Sequence, residues 1–361
     1  MKDIKIDLSN VKEPFLDKSL SELGFVFNVS RSNDKITLDV GLSDLFYDGK
    51  EDFKNKIINE VLKQLPDIKI VEVNFKLGVV NHKNQQKEEI LPGVKNTIAI
   101  ASGKGGVGKS TVAVNIALAL VQEGASVGLI DADIYGPSIP LMLNIYKKPA
   151  VAVINERKML LPAEKYGLKI MSIGLLVDYD TAVVWRGPMA SSALRQFMVD
   201  THWGDLDFLL FDMPPGTGDI QLTLSQVIPL TGAIIITTPQ EIAVADARKG
   251  HKMFEKVNVP TLGIVENMSY YNKGDGNRDY IFGKGGGKQL CEEYKLNFLG
   301  EIPISTMIRE KGDEGSPIVY SLPDSEEARI FRNISKKIIL DLNKRNSDTI
   351  TNQDLEIIME E

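Results

Sequence analysis

The sequence predicts an α/β protein with a mostly parallel, doubly wound sheet and a small α/β domain ahead of it. Three observations predict this. Short continuous apolar runs recur at 97–101 (TIAIA), 126–130 (SVGLI), 207–211 (DFLLF), 232–236 (GAIII) and 261–265 (TLGIV). Runs without alternation suit strands covered on both faces, hence a parallel sheet wrapped by helices. Residues 1–77 instead alternate with period two, at Ile36, Leu38 and Val40 and again at Val71, Val73, Phe75 and Leu77, the mark of half-buried strands. Between these regions, 78–95 (GVVNHKNQQKEEILPGVK) loses periodicity and gains Asn, Gln, Lys and Glu, which reads as a linker.

Each element follows in order. A less regular strand is expected at 25–29. Phe53, Ile57, Ile58, Val61, Leu62 and Leu65 keep helical spacing and give one apolar face. The larger domain is expected over 96–345. Its first helix, 112–122, is closed by Gly124 at the C′ position. Near its end, Ile330, Phe331, Ile334, Ile338 and Leu342 share a face over about 326–344; core packing is the preferred reading over a membrane-surface helix. A polar, acidic tail over 346–361 is expected to be frayed.

The chain has 361 residues, room for about two domains at ~150 residues each. Lys plus Arg is 42 and Asp plus Glu is 49, a net charge of −7, which argues against a dedicated nucleic-acid binder. The single cysteine, Cys291, excludes an intrachain disulfide and any metal site needing two thiolates from one chain. His82, His202 and His251 are too far apart for an HExxH site. The start, MKDIKIDLSN, has no apolar signal core, and no run reaches the ~18 apolar residues of a membrane span. A cytoplasmic location is expected.

The strongest local signal is GKGGVGKST at 103–111, where Gly103, Gly108, Lys109 and Ser110 satisfy G-x-x-x-x-G-K-[ST]. Glycines let the backbone curl so that successive N–H groups over Gly103, Lys104, Gly105, Gly106, Val107 and Gly108 point inward as an anion nest. The following helix adds the positive end of its dipole. Lys109 is placed to neutralise β- and γ-phosphate charge, Ser110 to ligate Mg²⁺ and Thr111 to meet the α-phosphate. The domain is therefore expected to be a P-loop NTPase sheet. Lys104 is not needed by a single loop; it is either a solvated lysine or one that reaches phosphates held by a facing copy. Asp131 and Asp133 close VGLIDAD, and Asp212 closes DFLLFD. Asp212 reads as the holder of a metal-bound water rather than a helix cap. Of Asp131 and Asp133, one can orient the attacking water and the other position the loop. Gly216, in PPGTG, can offer its N–H to a γ-phosphate and so sense it.

Together these residues resemble the Mrp/ApbC-type ATPases, in the deviant-Walker-A group that includes the MinD and ParA proteins. LPGVKN (91–96), IASGKGGVGKSTVAVNIA (100–117), DADIYGPSIP (131–140), VWRGPM (184–189), FDMPPGTGD (211–219), TTPQEIAVADARKG (237–250), ENMSY (266–270), IFGKGGG (281–287) and LGEIPIS (299–305) follow the pattern in order. The resemblance covers about 91–320. The first 77 residues resemble, less closely, a domain found in iron–sulfur assembly factors. The resemblance implies a slow, Mg²⁺-dependent ATPase that sandwiches ATP in a homodimer. Its partners would be iron–sulfur assembly or client proteins, with no nucleic acid and no membrane. Lys104 would be the signature lysine acting across the dimer. Lys109, Ser110 and Thr111 would hold phosphates and Mg²⁺, Asp133 would orient the lytic water, and Asp212 would be the Walker B residue. Gly216 would lie in switch II, Asn267 would recognise adenine, and the Pro303 segment would line the base.

The chain departs from the family in one respect. Members that carry iron–sulfur clusters have C-x-x-C shortly after N-M-S-Y; here NMSYYNKGDGNRDYIFG has no cysteine. Cys291 lies downstream in KQLCEEY, where it reads as a small half-buried helix residue. The N-terminal stretch GLSDLFYDGKEDF likewise has no cysteine where relatives often do. Asp275 or Asn277 would be poor oxygen ligands for a soft cluster. An iron–sulfur cluster is thus possible by family, but the residues suit an ATP-dependent adaptor that holds none. The alternative is a MinD/ParA-like positioning ATPase, against which the acidic terminus DLEIIMEE counts.

Overall fold

The structure is a computed structural model that describes residues 6–176, 187–273 and 276–358. Residues 184–186 of VWRGPM, Asp275 and residues 359–361 of the expected tail lie outside them. The chain divides into two units, Met1–Asn81 with Ile338–Glu361, and His82–Lys337.

In the first unit β1 (Val26–Ser32), β2 (Lys35–Leu42), α1 (Lys50–Gln64) and β3 (Ile70–Leu77) follow in order. β1 and β2 are antiparallel. α1 then carries the chain across to β3, which is parallel to β2. The alternation read in the sequence has a direct physical meaning here. Ile36, Leu38 and Val40 of β2 are fully buried, and Phe53, Ile57 and Val61 of α1 share their core.

The second unit holds α2 (Gln85–Ile90), β4 (Val94–Ser102), α3 (Lys109–Gln122), β5 (Val127–Asp131), α4 (Ile139–Met142), β6 (Val151–Ile154), β7 (Arg157–Leu160), β8 (Ala163–Lys165), β9 (Leu168–Ser172), α5 (Gly187–Val199) and β10 (Leu206–Asp212). α6 (Asp219–Val227), β11 (Gly232–Thr237), α7 (Glu241–Lys256), β12 (Thr261–Glu266), β13 (Tyr271–Asn272), β14 (Arg278–Asp279), α8 (Gly286–Tyr294), β15 (Phe298–Glu301), α9 (Thr306–Asp313), α10 (Ile318–Ser321) and the part of α11 (Glu326–Ile358) before Ile338 complete the order. Eight strands form one sheet in the order β15-β12-β11-β4-β10-β5-β9-β8. All neighbours are parallel except the edge pair β8–β9. All five apolar runs are strands of this sheet. Ile98, Ile100, Leu129, Leu210, Ile234 and Ile264 are fully buried, as strands wrapped on both faces must be. α3 packs on β4, β5 and β10, and α7 on β11, β12 and β4. α3 ends with Gly124 at φ +97°, a conformation that only glycine adopts without strain.

Two boundaries differ from expectation. The stretch read as a linker contains α2, capped by the Asn84 side chain, which accepts from the Lys87 N–H. The Lys87 ammonium is buried and donates to the carbonyls of His82 and Lys95, so backbone acceptors order a polar segment that shows no apolar period. The terminal helix runs on to Ile358 instead of stopping near 344. From Ile338 it belongs to the first unit, where the Asn343 amide accepts from Val80 N–H at 2.8 Å and donates to Gly78 C=O at 2.8 Å. Phe331, Ile334, Ile338 and Leu342 are buried, in line with core packing.

Candidate functional site: a phosphate-loop cleft

In an open parallel sheet, ligands sit beyond the carboxyl ends of the strands where the chain order reverses. Here β4 is that point: the chain crosses to β5 on one side and β11 adjoins it on the other. β4 ends at Ser102, and 103–108 turn the chain into α3. Gly106 and Gly108 have φ +79° and +77°. Gly103 is required for another reason. A Cβ there would lie 2.2 Å from the Asp246 backbone. α3 starts at Lys109 without a side-chain cap, so its first N–H groups are available to an anion.

A cleft of about 600 Å³ opens over this loop, lined by Gly105, Gly106, Val107, Gly108, Lys109, Ser110, Thr111 and Asp133. Beneath it lies a buried charge cluster. In-register pairing of β10 with β5 sets Asp212 beside Asp131. Lys109 Nζ, only 6% exposed, donates to Asp212 Oδ1 at 2.5 Å and to Ser110 Oγ at 3.2 Å, and stands 4.0 Å from Asp133 Oδ2. The other carboxylate oxygen, Asp212 Oδ2, is buried with no hydrogen-bond partner. Burial raises the Asp212 pKa, opposed by the Lys109 ammonium. Burial pushes Asp131 up to about 8, with the neighbouring Asp212 charge adding to the effect. Asp131 holds the following loop: it accepts from Ser172 Oγ at 3.0 Å and from the N–H groups of Asp133 and Ile139 at 3.3 Å.

The remaining expected residues stand outside the cleft lining. The Lys104 side chain is half-buried, and its ammonium has no partner among the described residues. Gly216, at φ +101°, donates its N–H to Ser102 C=O at 2.9 Å. Asn267 donates from its amide to Val107 C=O at 2.8 Å, and that amide would lie 2.3 Å from a Cβ at Gly108. In this structure it therefore braces the loop. Pro303 is buried. The sequence reading missed the other walls, Ser102, Ser138, Leu141, Met142, Tyr146, Pro215, Gly312 and Asp313. Ser138 to Tyr146 lie in or just after DADIYGPSIP, so that motif was a usable pointer; Gly312 and Asp313 carried no signal.

Cys291 is 4% exposed, its thiol donates to Asn297 C=O at 3.4 Å, and burial pushes its pKa up to about 11. Among the described residues no group of three His, Cys, Asp or Glu side chains is placed to hold a metal ion. No helix among them is long and apolar enough to cross a membrane.

The arrangement can bind a polyphosphate. Loop N–H groups and Lys109 supply positive charge, and an unpaired carboxylate oxygen beside Ser110 fits a hydrated Mg²⁺. Comparison with known proteins agrees. The model of the ParA group described as the NUBPL iron-transfer P-loop NTPase matches residues 93–339. An iron–sulfur cluster carrier protein of Escherichia coli K12 is 44% identical over 336 residues, 93% of this chain and 90% of that protein. The iron–sulfur cluster transfer protein NUBPL of Dictyostelium discoideum is 49% identical over 275 residues, 75% of this chain and 84% of its own. The solved structure of a nucleotide-binding protein from Archaeoglobus fulgidus, in complex with ADP, has a TM-score of 0.56 and 37% identity, and covers 68% of this chain and 99% of that one.

Proposed function

The chain belongs to the NUBPL iron-transfer P-loop NTPase family of the ParA group, and on that premise we propose that it is a Mg²⁺-dependent ATPase and cytoplasmic homodimeric switch. It would serve iron–sulfur cluster assembly or transfer. The observation that carries the proposal is the Lys109–Asp212 pair under the glycine loop, with Asp212 Oδ2 unpaired.

Ser110 and Asp212 would hold Mg²⁺, which supplies charge neutralisation to the β- and γ-phosphate oxygens when bound. Lys109 exchanges its contact with Asp212 for phosphate oxygens. Asp133, held by Asp131 through its N–H, orients the attacking water. Gly216 must release Ser102 C=O before its N–H can meet a γ-phosphate, so the loop has two states that hydrolysis can switch. Lys104, with its ammonium unengaged, reaches the phosphates of a facing copy. Hydrolysis then times dimer opening and is slow.

The cluster itself is cargo in this reading, and the residues do not fit direct carriage. The chain has one cysteine. With a pKa near 11 it is a thiol at neutral pH, whereas clusters bind thiolates. The form that fits is an ATP-dependent adaptor whose partners are iron–sulfur assembly or client proteins. The net charge of −7 favours neither nucleic acid nor membrane as a partner.

Phosphate release from Mg-ATP tests the enzyme, with light scattering as the test of the dimer. Slow turnover is expected, lost in Asp133→Ala, with ATP-dependent doubling of mass that Lys104→Ala abolishes while still binding nucleotide. Full turnover by Asp133→Ala would refute the water-orienting role; a Lys104→Ala protein that still dimerises would refute the cross-subunit one.

A further inference from the structure

One strand edge of the second unit is open among the described residues. β6 and β7 form a separate two-stranded ribbon. Asn155 and Glu156 close it, both in the left-handed region at φ +48° and +66°, the turn that fixes hairpin register. On its far side β7 is engaged: Leu160 donates its N–H to Asp200 C=O at 2.7 Å, and its C=O accepts from His202 N–H at 2.8 Å. Leu160 stands opposite Val151, and Lys158 opposite Val153. In an antiparallel ladder, opposed residues turn their backbone groups either both inward or both outward, alternating along the strand. The N–H and C=O of Val151 and Val153 therefore point away from β7, and among the described residues no strand meets them.

That edge lacks the usual protection. Native edge strands carry a lysine, a proline or a bulge that blocks further pairing, whereas β6 reads VAVI, with no charge and no proline. Val151 and Val153 are 62% and 71% exposed and share one face of the ribbon. Positive charge flanks them. The stretch 146–160 holds Lys147, Lys148, Arg157 and Lys158, all exposed, against a single acid, Glu156, in a chain of net charge −7. Lys147 and Lys148 precede β6, and Arg157 and Lys158 stand at its far end. A nucleic acid or a lipid surface would meet the charge but not the N–H and C=O groups offered along a strand. A second copy paired antiparallel would set basic ends against basic ends. An extended polypeptide with acidic ends satisfies both the edge and the charge.

We propose that β6 takes up an extended acidic segment of a partner protein as a third strand of the ribbon. The segment's backbone bonds Val151 and Val153, its β-branched side chains lie beside those valines, and its terminal carboxylates meet the basic pairs. This docking stands apart from the ATPase reading. None of the residues from Lys147 to Lys158 lines the phosphate cleft, and no nucleotide is required.

The probe is the capped peptide Ac-EEVTVTVEE-NH₂, added to the nucleotide-free full-length protein at low salt. Binding is read by calorimetry and by hydrogen exchange at the Val151 and Val153 amides. The controls are the same peptide N-methylated at its valines, which removes the donors that would face β6, and the basic peptide Ac-KKVTVTVKK-NH₂. The acidic peptide is expected to bind saturably and to slow exchange at both amides about tenfold, and both controls to bind at least about tenfold more weakly. Val153→Pro removes an outward N–H and leaves the β6–β7 ladder its bonds; it should weaken binding about tenfold. Arg157→Glu combined with Lys158→Glu should weaken it about fivefold through charge, and carries the test if the proline disrupts the ribbon. Equal binding of the methylated peptide, or unchanged exchange at the two amides, overturns the inference. A DNA duplex or phosphatidylserine vesicles that protect the same amides overturn it too. So does self-association of the nucleotide-free protein that Val153→Pro abolishes, which would make a second copy the occupant.

Discussion

Lys109 Nζ lies 2.5 Å from Asp212 Oδ1, an ion pair in which the lysine is 6% exposed and the aspartate fully buried. It joins the first residue of α3 to the last residue of β10. The pair therefore has a structural role as well as the phosphate-binding one proposed for it.

Removing one member of a buried pair strands the other. Lys109→Ala should destabilise the nucleotide-free protein by about 3–5 kcal/mol, read from urea unfolding. Lys109→Met combined with Asp212→Leu should recover most of that loss, because an apolar replacement leaves no unpaired charge, and should remain inactive. A Lys109→Ala protein as stable as the parent would show that the pair is not desolvated.

The Asn267 amide supports the loop through Val107 C=O. Asn267→Ala should therefore raise KM for ATP and for GTP alike, by about tenfold, the scale of one hydrogen bond to a positioned loop, with kcat little changed. If ATP alone suffers, Asn267 reads the base, as the family resemblance implies.

The fold is largely legible in the sequence, and particular residues show why. The five apolar runs are strands because a parallel sheet needs side chains that are apolar on both faces; Ile98, Leu210 and Ile234 meet that demand directly. Glycines 103–108 and the aspartates at strand ends were visible because chemistry restricts those positions. What escaped was set by polar side chains matched to backbone groups, which leave no apolar period in the sequence. Lys87 is ordered by backbone carbonyls, and Asn343 is matched to Gly78 and Val80. Asp313 reaches the cleft wall from α9 with no local pattern to mark it. The Gly216 N–H was legible as a donor, whereas its acceptor here, Ser102 C=O, depends on how the loop after β10 folds back.

Asp131 gives the nucleotide-free protein a pH dependence. Its pKa rises from 3.8 to about 8 on folding, so between those values the folded state binds more protons than the unfolded one. Stability from this group is complete below pH 3.8 and is lost as pH rises through about 8. Thermal unfolding measured from pH 5 to pH 9 should show this decline, and Asp131→Asn should flatten it. An unchanged slope in that variant would remove Asp131 as the cause.

The Cys291 thiol, buried and with its pKa at about 11, should react with iodoacetamide at pH 7.5 at least about a hundredfold more slowly than free cysteine, since the thiolate is the nucleophile. Unfolding in urea should restore ordinary reactivity. Fast labelling of the native protein would mean that the thiol is reachable, and would reopen direct cluster binding.

The proposed ATPase requires first that the 103–111 loop grip a triphosphate with Lys109. Calorimetric titration of Mg-ATP into the intact chain tests it most directly. Saturable heat is expected for the parent protein and none for Lys109→Met, Asp212→Leu, the variant designed to stay folded. No heat from the parent, or the same heat from both, would contradict it.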